Sequence, residues 1–229
     1  MATKQSKKTN RRSDILRAAE ELMVGQGLVG VTTRKISEAV GCSEGALYVH
    51  FKGRLELLLA MLEDSLPEML GPLRTLQGRV GQGSPQLNLG TALRGIFRFH
   101  QRMTPRLAAL FADPELHAAF RGSLSRQNVG PHRSMKVLED YIAAEQRLGR
   151  IDGQVQPKLA AYLLMSSSFF RAFTEQFFGI TMRPAWGTLV KELIAALVPA
   201  APRADGNQHR TASALESHRG KQHSADANK

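Results

Sequence analysis

Apolar residues recur at three- and four-residue spacing along almost the whole chain, and no stretch alternates convincingly with period two. A period near 3.6 gathers apolar side chains on one helix face, so the expected class is all-α. From Ser13, Ile15, Ala18, Ala19, Leu22 and Met23 form one stripe, predicting a helix that ends near Gly25 and Gly27. A second helix is expected from Thr33, its hydroxyl as cap, to Val40, with Gly41 as the stop. A third starts at Ser43, and a fourth near Arg54, which Pro67 should kink and Gly71-Pro72 should end. After the glycine-rich loop GRVGQGSP at 78 to 85, helices are expected at 86–103, at 105–121 with a break at Asp113-Pro114, and at 131–148. Gln156-Pro157 opens another to Phe178, capped by Gly179, and Pro184 opens the last, to Val198.

With 229 residues, 42% of them hydrophobic, the chain has material for one large domain or two small ones. The single cysteine, Cys42, forms no internal disulfide and no thiolate zinc site, which points to a reducing cytoplasm. Apolar runs such as Leu57–Leu62 fall far short of the ~20 residues that span a bilayer. The first twelve residues lack the apolar stretch of a signal peptide, so no membrane partner and no export are expected.

The formal net charge is +11, which favours a polyanionic partner. Residues 1 to 54 are the densest in charge, with ten Lys/Arg against five acids. Lys4, Lys7, Lys8, Arg11 and Arg12 all lie in the first twelve residues. Such an arm reads either as a solvated terminus or as a flexible arm along phosphates or a minor groove. The expected organisation is a flexible basic arm at 1–10, a charge-dense helical domain at 11–70, a larger helical domain at 71–199 and a disordered tail at 200–229.

Thr33 to Val40 and Ser43 to Val49, joined at Gly41, have the proportions of a helix-turn-helix, whose second helix enters the major groove. The residues around them carry more. Ile15-Leu16, Ala18-Ala19, Leu22, Gly27, Thr32-Thr33, Ile36, Gly41, Ser43, Gly45, Leu47-Tyr48 and His50-Phe51 follow a fixed spacing. In that spacing the segment closely resembles the TetR (tetracycline-repressor) family of bacterial transcription regulators over residues 11 to 70. Ser37, Cys42, Met23 and Arg54 replace the alanine, valine, phenylalanine and lysine the family prefers, without touching the helix-turn-helix geometry.

Each matched position has a physical role. Gly45 opens the recognition helix without a side chain and lets backbone approach DNA; otherwise it is a tolerated glycine near a helix end. Tyr48, His50 and Lys52 can donate to phosphates and fix orientation, Tyr48 being alternatively a half-buried core aromatic. Leu47 and Phe51 should hold the recognition helix onto the first helix. The resemblance implies that the Thr33 hydroxyl meets a phosphate and that Arg34 reaches a base edge. Ser43, Glu44 and Ala46 open the recognition helix, where Glu44 can accept from a cytosine amine and Ala46 can rest on a thymine methyl, or both face solvent.

No catalytic constellation competes: the seven histidines show no metal-ligand spacing with acids, and no glycine-rich phosphate loop joins strand to helix. No cofactor is expected. Nine of the ten phenylalanines lie beyond the DNA-binding segment, where they build a core or line an apolar cavity. The resemblance implies a ligand-binding and dimerisation domain there, with Phe97, His100, Phe111, Ser167, Phe170, Arg171 and Phe173 as ligand candidates, alongside Arg98. The last two helices should pair with their copies in a second subunit through Leu164, Phe169, Ala172, Trp186, Leu189, Val190, Leu193 and Leu197. The expectation is a cytoplasmic, nucleoid-associated repressor. It should bind a pseudo-palindromic double-stranded operator as a homodimer and be released by an apolar or amphipathic small molecule. The alternative is a ligand-insensitive architectural or chromosome-organising DNA-binding protein of the same fold.

Overall fold

The structure, a computed structural model, describes residues 11–23, 25 and 31–202. The arm at 1–10, Gly27 and the tail beyond 202 lie outside these residues. The described residues form nine helices and no strand: α1 (11–23), α2 (Thr33–Val40), α3 (Glu44–Tyr48), α4 (Arg54–Gln77), α5 (Pro85–Leu110), α6 (Pro114–Arg126), α7 (Pro131–Arg147), α8 (Pro157–Phe178) and α9 (Trp186–Leu197). None of them is long and apolar enough to cross a membrane.

Local chemistry sets most boundaries. The Ser43 hydroxyl accepts from the Ala46 N–H at 3.2 Å and so caps α3. Gly41, at φ 66°, ends α2 in the left-handed region that favours glycine. The cap of α2 is Thr32, not Thr33: its hydroxyl accepts from Lys35 N–H at 3.2 Å. Pro184 does not open α9: the helix begins at Trp186, with Ala185 as its N-cap.

The internal prolines end nothing. α4 runs through Pro67 and Pro72, and α5 runs through Pro105. Each proline forfeits one helical hydrogen bond, but the turns around it are buried, and tertiary packing outweighs that local loss. Met69, Leu73 and Leu76 carry α4 past its prolines, and Met103 and Leu110 flank the one in α5, all 8% exposed or less. The chain breaks instead at Asp113, whose carboxylate accepts from Leu116 N–H at 3.0 Å beside Pro114.

Two cores result, and α4 belongs to both. Its first half, with Leu57, Leu58 and Met61, packs against Ile15, Ala19, Ile36, Leu47 and Phe51. Leu110 and Phe120 close that core from α5 and α6. Its second half, with Met69, Leu73 and Leu76, joins Leu93, Ile96, Leu138, Ile142, Leu164 and Val190. α4 and α5 touch backbone to backbone where they cross. A Cβ on Gly95 would stand 2.6 Å from the Glu68 carbonyl oxygen and 2.5 Å from Pro72 Cγ. Gly95→Ala should therefore cost about 3 kcal/mol in urea unfolding, because the helices must separate. Gly90→Ala, whose added Cβ meets nothing nearer than 3.7 Å, should be neutral or stabilising by up to about 1 kcal/mol.

Candidate nucleic-acid interface

The recognition helix α3 is fixed from behind and bare in front. Leu47 and Phe51 are 2% and 1% exposed, which locks α3 onto α1 and α4. Ser43, Glu44, Gly45 and Lys52 are exposed, Ala46 and His50 are half-buried, and Tyr48 is 52% exposed. Tyr48 is thus a surface phenol rather than a core aromatic. A Cβ on Gly45 would meet only Ser43 Oγ, at 3.9 Å, so nothing inside the chain requires glycine there. Thr33, Tyr48 and Lys52 surround one groove, next to Arg54, which is paired with Asp113 at 3.1 Å.

The polar groups of α2 and α3 are engaged with one another. Thr33 Oγ1 donates to Glu44 Oε2 at 2.7 Å, so a phosphate has to displace that bond to receive the hydroxyl hydrogen. Arg34 pairs with Glu38 at 2.9 Å on the exposed face, and this carboxylate raises its pKa. Two cations of α1 join this end of the molecule: Arg12 lies 5.1 Å over the Phe51 ring, and Arg11 donates to the Val40 carbonyl at 3.4 Å. Sequence reading counted their charge but had no local signal placing them beside α2 and α3.

Behind this face stands an ion network that runs from the surface at Asp64 to the buried Arg106. Arg102 of α5 bonds Glu20 of α1 at 3.1 Å, Asp64 at 2.6 Å and Glu68 at 3.2 Å, the last two on α4. Arg106, one turn on and 6% exposed, reaches the same Glu20 at 2.6 Å and lies 3.9 Å from Met103 Sδ. Burial pushes the Arg106 pKa down, while Glu20 holds it up.

Met103 is also a wall of a cavity of about 210 Å³ between α4, α5, α6, α7 and α8. Leu62, Leu66, Leu107, Phe120 and Met165 line it with Met103, and His100 is its one titratable group. His100 Nδ1 lies 2.9 Å from Ser168 Oγ, and burial lowers its pKa to about 4, leaving a neutral imidazole at pH 7.

Of the ligand candidates, only His100 lines this cavity. Phe97 stacks on Trp186 at 4.5 Å inside the core, and the Ser167 hydroxyl donates to Leu163 O at 2.7 Å. Arg171 is buried and spends its donors on Glu175 and on the Met182 and Pro184 carbonyls, pinning the α8–α9 turn. Phe111 is 74% exposed beside His117. Phe170 is 62% exposed, and Phe173 stacks between Phe169 and Phe177 on the outside of α8. Three other phenylalanines, Phe99, Phe120 and Phe169, line the cavity, whereas Phe97, Phe111, Phe170 and Phe173 do not. Leu and Met that follow the ordinary core pattern make up seven of its fifteen walls, and that pattern carried no distinguishing signal.

The interface candidates divide likewise. Leu164, Ala172, Trp186 and Val190 face the chain's own core, so no partner reaches them. Leu189, Leu193 and Leu197 are half-buried at its rim, and Phe169 is split between cavity wall and surface. The apolar face left to solvent is instead Leu159, Tyr162, Phe170, Phe177 and Phe178 of α8.

Residues 15–61 match the family model for bacterial regulatory proteins of the tetR family. The nucleoid occlusion factor SlmA of Vibrio cholerae is 28% identical over 168 residues, covering 66% of this chain and 84% of that protein. SlmA of Cronobacter sakazakii is 43% identical over 70 residues, covering 29% and 35% of the two chains. In fold, the ketosteroid transcriptional regulator KstR2 of Mycobacterium tuberculosis superposes with a TM-score of 0.56 at 17% identity, over 84% of this chain and 96% of that one. NalD of Pseudomonas aeruginosa, a secondary repressor of the MexAB-OprM multidrug efflux pump, gives 0.56 at 20% identity, over 82% and 96%. With the helix-turn-helix of α2 and α3 bared on one face, the match over residues 15–61 identifies this N-terminal segment as similar to the DNA-binding region of tetR-family bacterial regulators.

Proposed function

We propose that the chain is a repressor that binds a pseudo-palindromic operator as a homodimer and is released when a small molecule fills the cavity behind the DNA-binding domain. One observation carries this reading: Arg106 touches both the cavity wall, at Met103, and Glu20 of α1. Movement of α5 around a ligand pulls on the helix that supports α3. Half-sites lie about 34 to 36 Å apart, one turn of DNA, so a small pivot of two recognition helices loses the operator.

The exposed face of α8 supports the homodimer. Tyr162, Phe170, Phe177 and Phe178 are each more than half exposed. A second copy presenting the same face removes that apolar surface from water through a two-fold contact.

A second reading is favoured by the SlmA relatives, whose alignment over 168 residues runs past the DNA-binding domain. It is an architectural or chromosome-organising protein that takes no small molecule. Mapping genomic binding sites separates the two: a few sites beside regulated genes fit a repressor, and many dispersed sites fit the alternative.

Two outcomes test the interface directly. Affinity for an operator fragment should fall by about three to five orders of magnitude from 50 to 200 mM salt if six to ten phosphates are contacted. Lys52→Ala should weaken specific and non-specific DNA alike, because a phosphate contact carries no base information; a loss confined to one sequence contradicts this. In sedimentation, the wild type should be a dimer and Phe170→Arg a folded monomer. A monomeric wild type refutes the dimer, and a dimeric variant moves the interface elsewhere.

A further inference from the structure

Resting on the ligand-released reading above, we infer that the cavity takes a neutral, largely apolar molecule bearing one hydrogen-bond acceptor, seated on the Nε2–H of His100. The walls hold no charged side chain, and their polar side chains are His100 and Ser134. The Ser134 hydroxyl is engaged with Met69 Sδ at 3.4 Å, which leaves His100 to orient a ligand.

The donor assignment follows from Ser168. A serine inside a helix commonly returns its hydrogen to the carbonyl four residues back, as Ser65 does to Met61 and Ser167 to Leu163. Ser168 makes no such bond; it is fully buried, and its hydroxyl meets His100 Nδ1 at 2.9 Å. A hydroxyl shut away from water places its hydrogen on the acceptor it has, so Nδ1 accepts and the ring proton sits on Nε2. Among the described residues no group accepts from Nε2. Phe99 and Phe169 pack beside the imidazole, with ring centroids at 5.8 and 5.6 Å.

A ligand that covers this half-buried donor without accepting from it strips its water and leaves it unpaired. An anion or an ammonium finds no counter-charge on the walls and leaves its hydration behind. Size follows by scale. A cavity of roughly 150 Å³ takes benzene, so one of about 210 Å³ takes about eight to ten non-hydrogen atoms.

Acetophenone, isopropylbenzene and benzoate have matched size and differ in the acceptor and the charge. Titrated calorimetrically into the full chain at pH 7, acetophenone should bind about tenfold or more tighter than isopropylbenzene. Benzoate should bind weakest. His100→Phe should erase the preference and keep isopropylbenzene binding. In the wild type, ¹⁵N NMR of the imidazole should show the proton on Nε2 at pH 7. Equal affinities, a preference that survives His100→Phe, a proton on Nδ1, or no binding by any probe overturns the assignment. Operator affinity measured in the same samples separates the two readings. Acetophenone binding with the stated preference and no change in operator affinity keeps the site and ends the ligand-released reading. Release by isopropylbenzene as readily as by acetophenone keeps that reading and ends the acceptor assignment.

Discussion

The arrangement depends on one carboxylate, Glu20 of α1, held between two guanidinium groups of α5. Desolvating such charges costs several kcal/mol, which the pairing only repays when geometry is good. The network is therefore a poor source of net stability and a strong device for position. Arg106 and Glu20 are mostly shielded from water, so neither finds an equivalent partner if α1 slides. The orientation of α1, and with it the face that α3 presents, is set by a helix that runs on into the other core.

α4 and α5 make that coupling stiff. α4 contributes to both cores, and α5 crosses it with backbone contact at Gly95. Asp64 and Glu68 emerge from the middle of α4, between its two core segments, and meet Arg102 there. The cavity opens along the same stretch, with Leu62 and Leu66 on α4 alternating with the acidic residues of the network. Anything that fills the cavity presses on the two helices that carry the ion pairs.

What was legible in the sequence was local chemistry. Ser43, Gly41, Gly179 and Pro157 act over one turn, through a cap hydrogen bond, a left-handed residue or a fixed φ, and each marks a real boundary. Pro72 and Pro105 misled because the burial that keeps their helices intact comes from residues far along the chain. The faces of α8 were illegible for a related reason. The helix is apolar nearly all round, and its inner side is chosen by the small Ala160, Ser168 and Ala172, which let it approach α5 and α7 closely. The large phenylalanines, conspicuous in the sequence, are left outside. Glu20, Arg102 and Arg106 gave no signal, since their meeting spans more than eighty residues of chain.

If Glu20 sets the position of α1, then removing its charge should loosen the DNA-binding face and leave the rest of the molecule intact. Hydrogen exchange of Glu20→Gln against the wild type measures this directly. The account predicts that amides of α1, α2 and α3 lose protection by about 3 kcal/mol, a hundredfold or more in exchange rate, with α7, α8 and α9 unchanged. Unchanged protection in α1 to α3, or an equal loss across all helices, would contradict it.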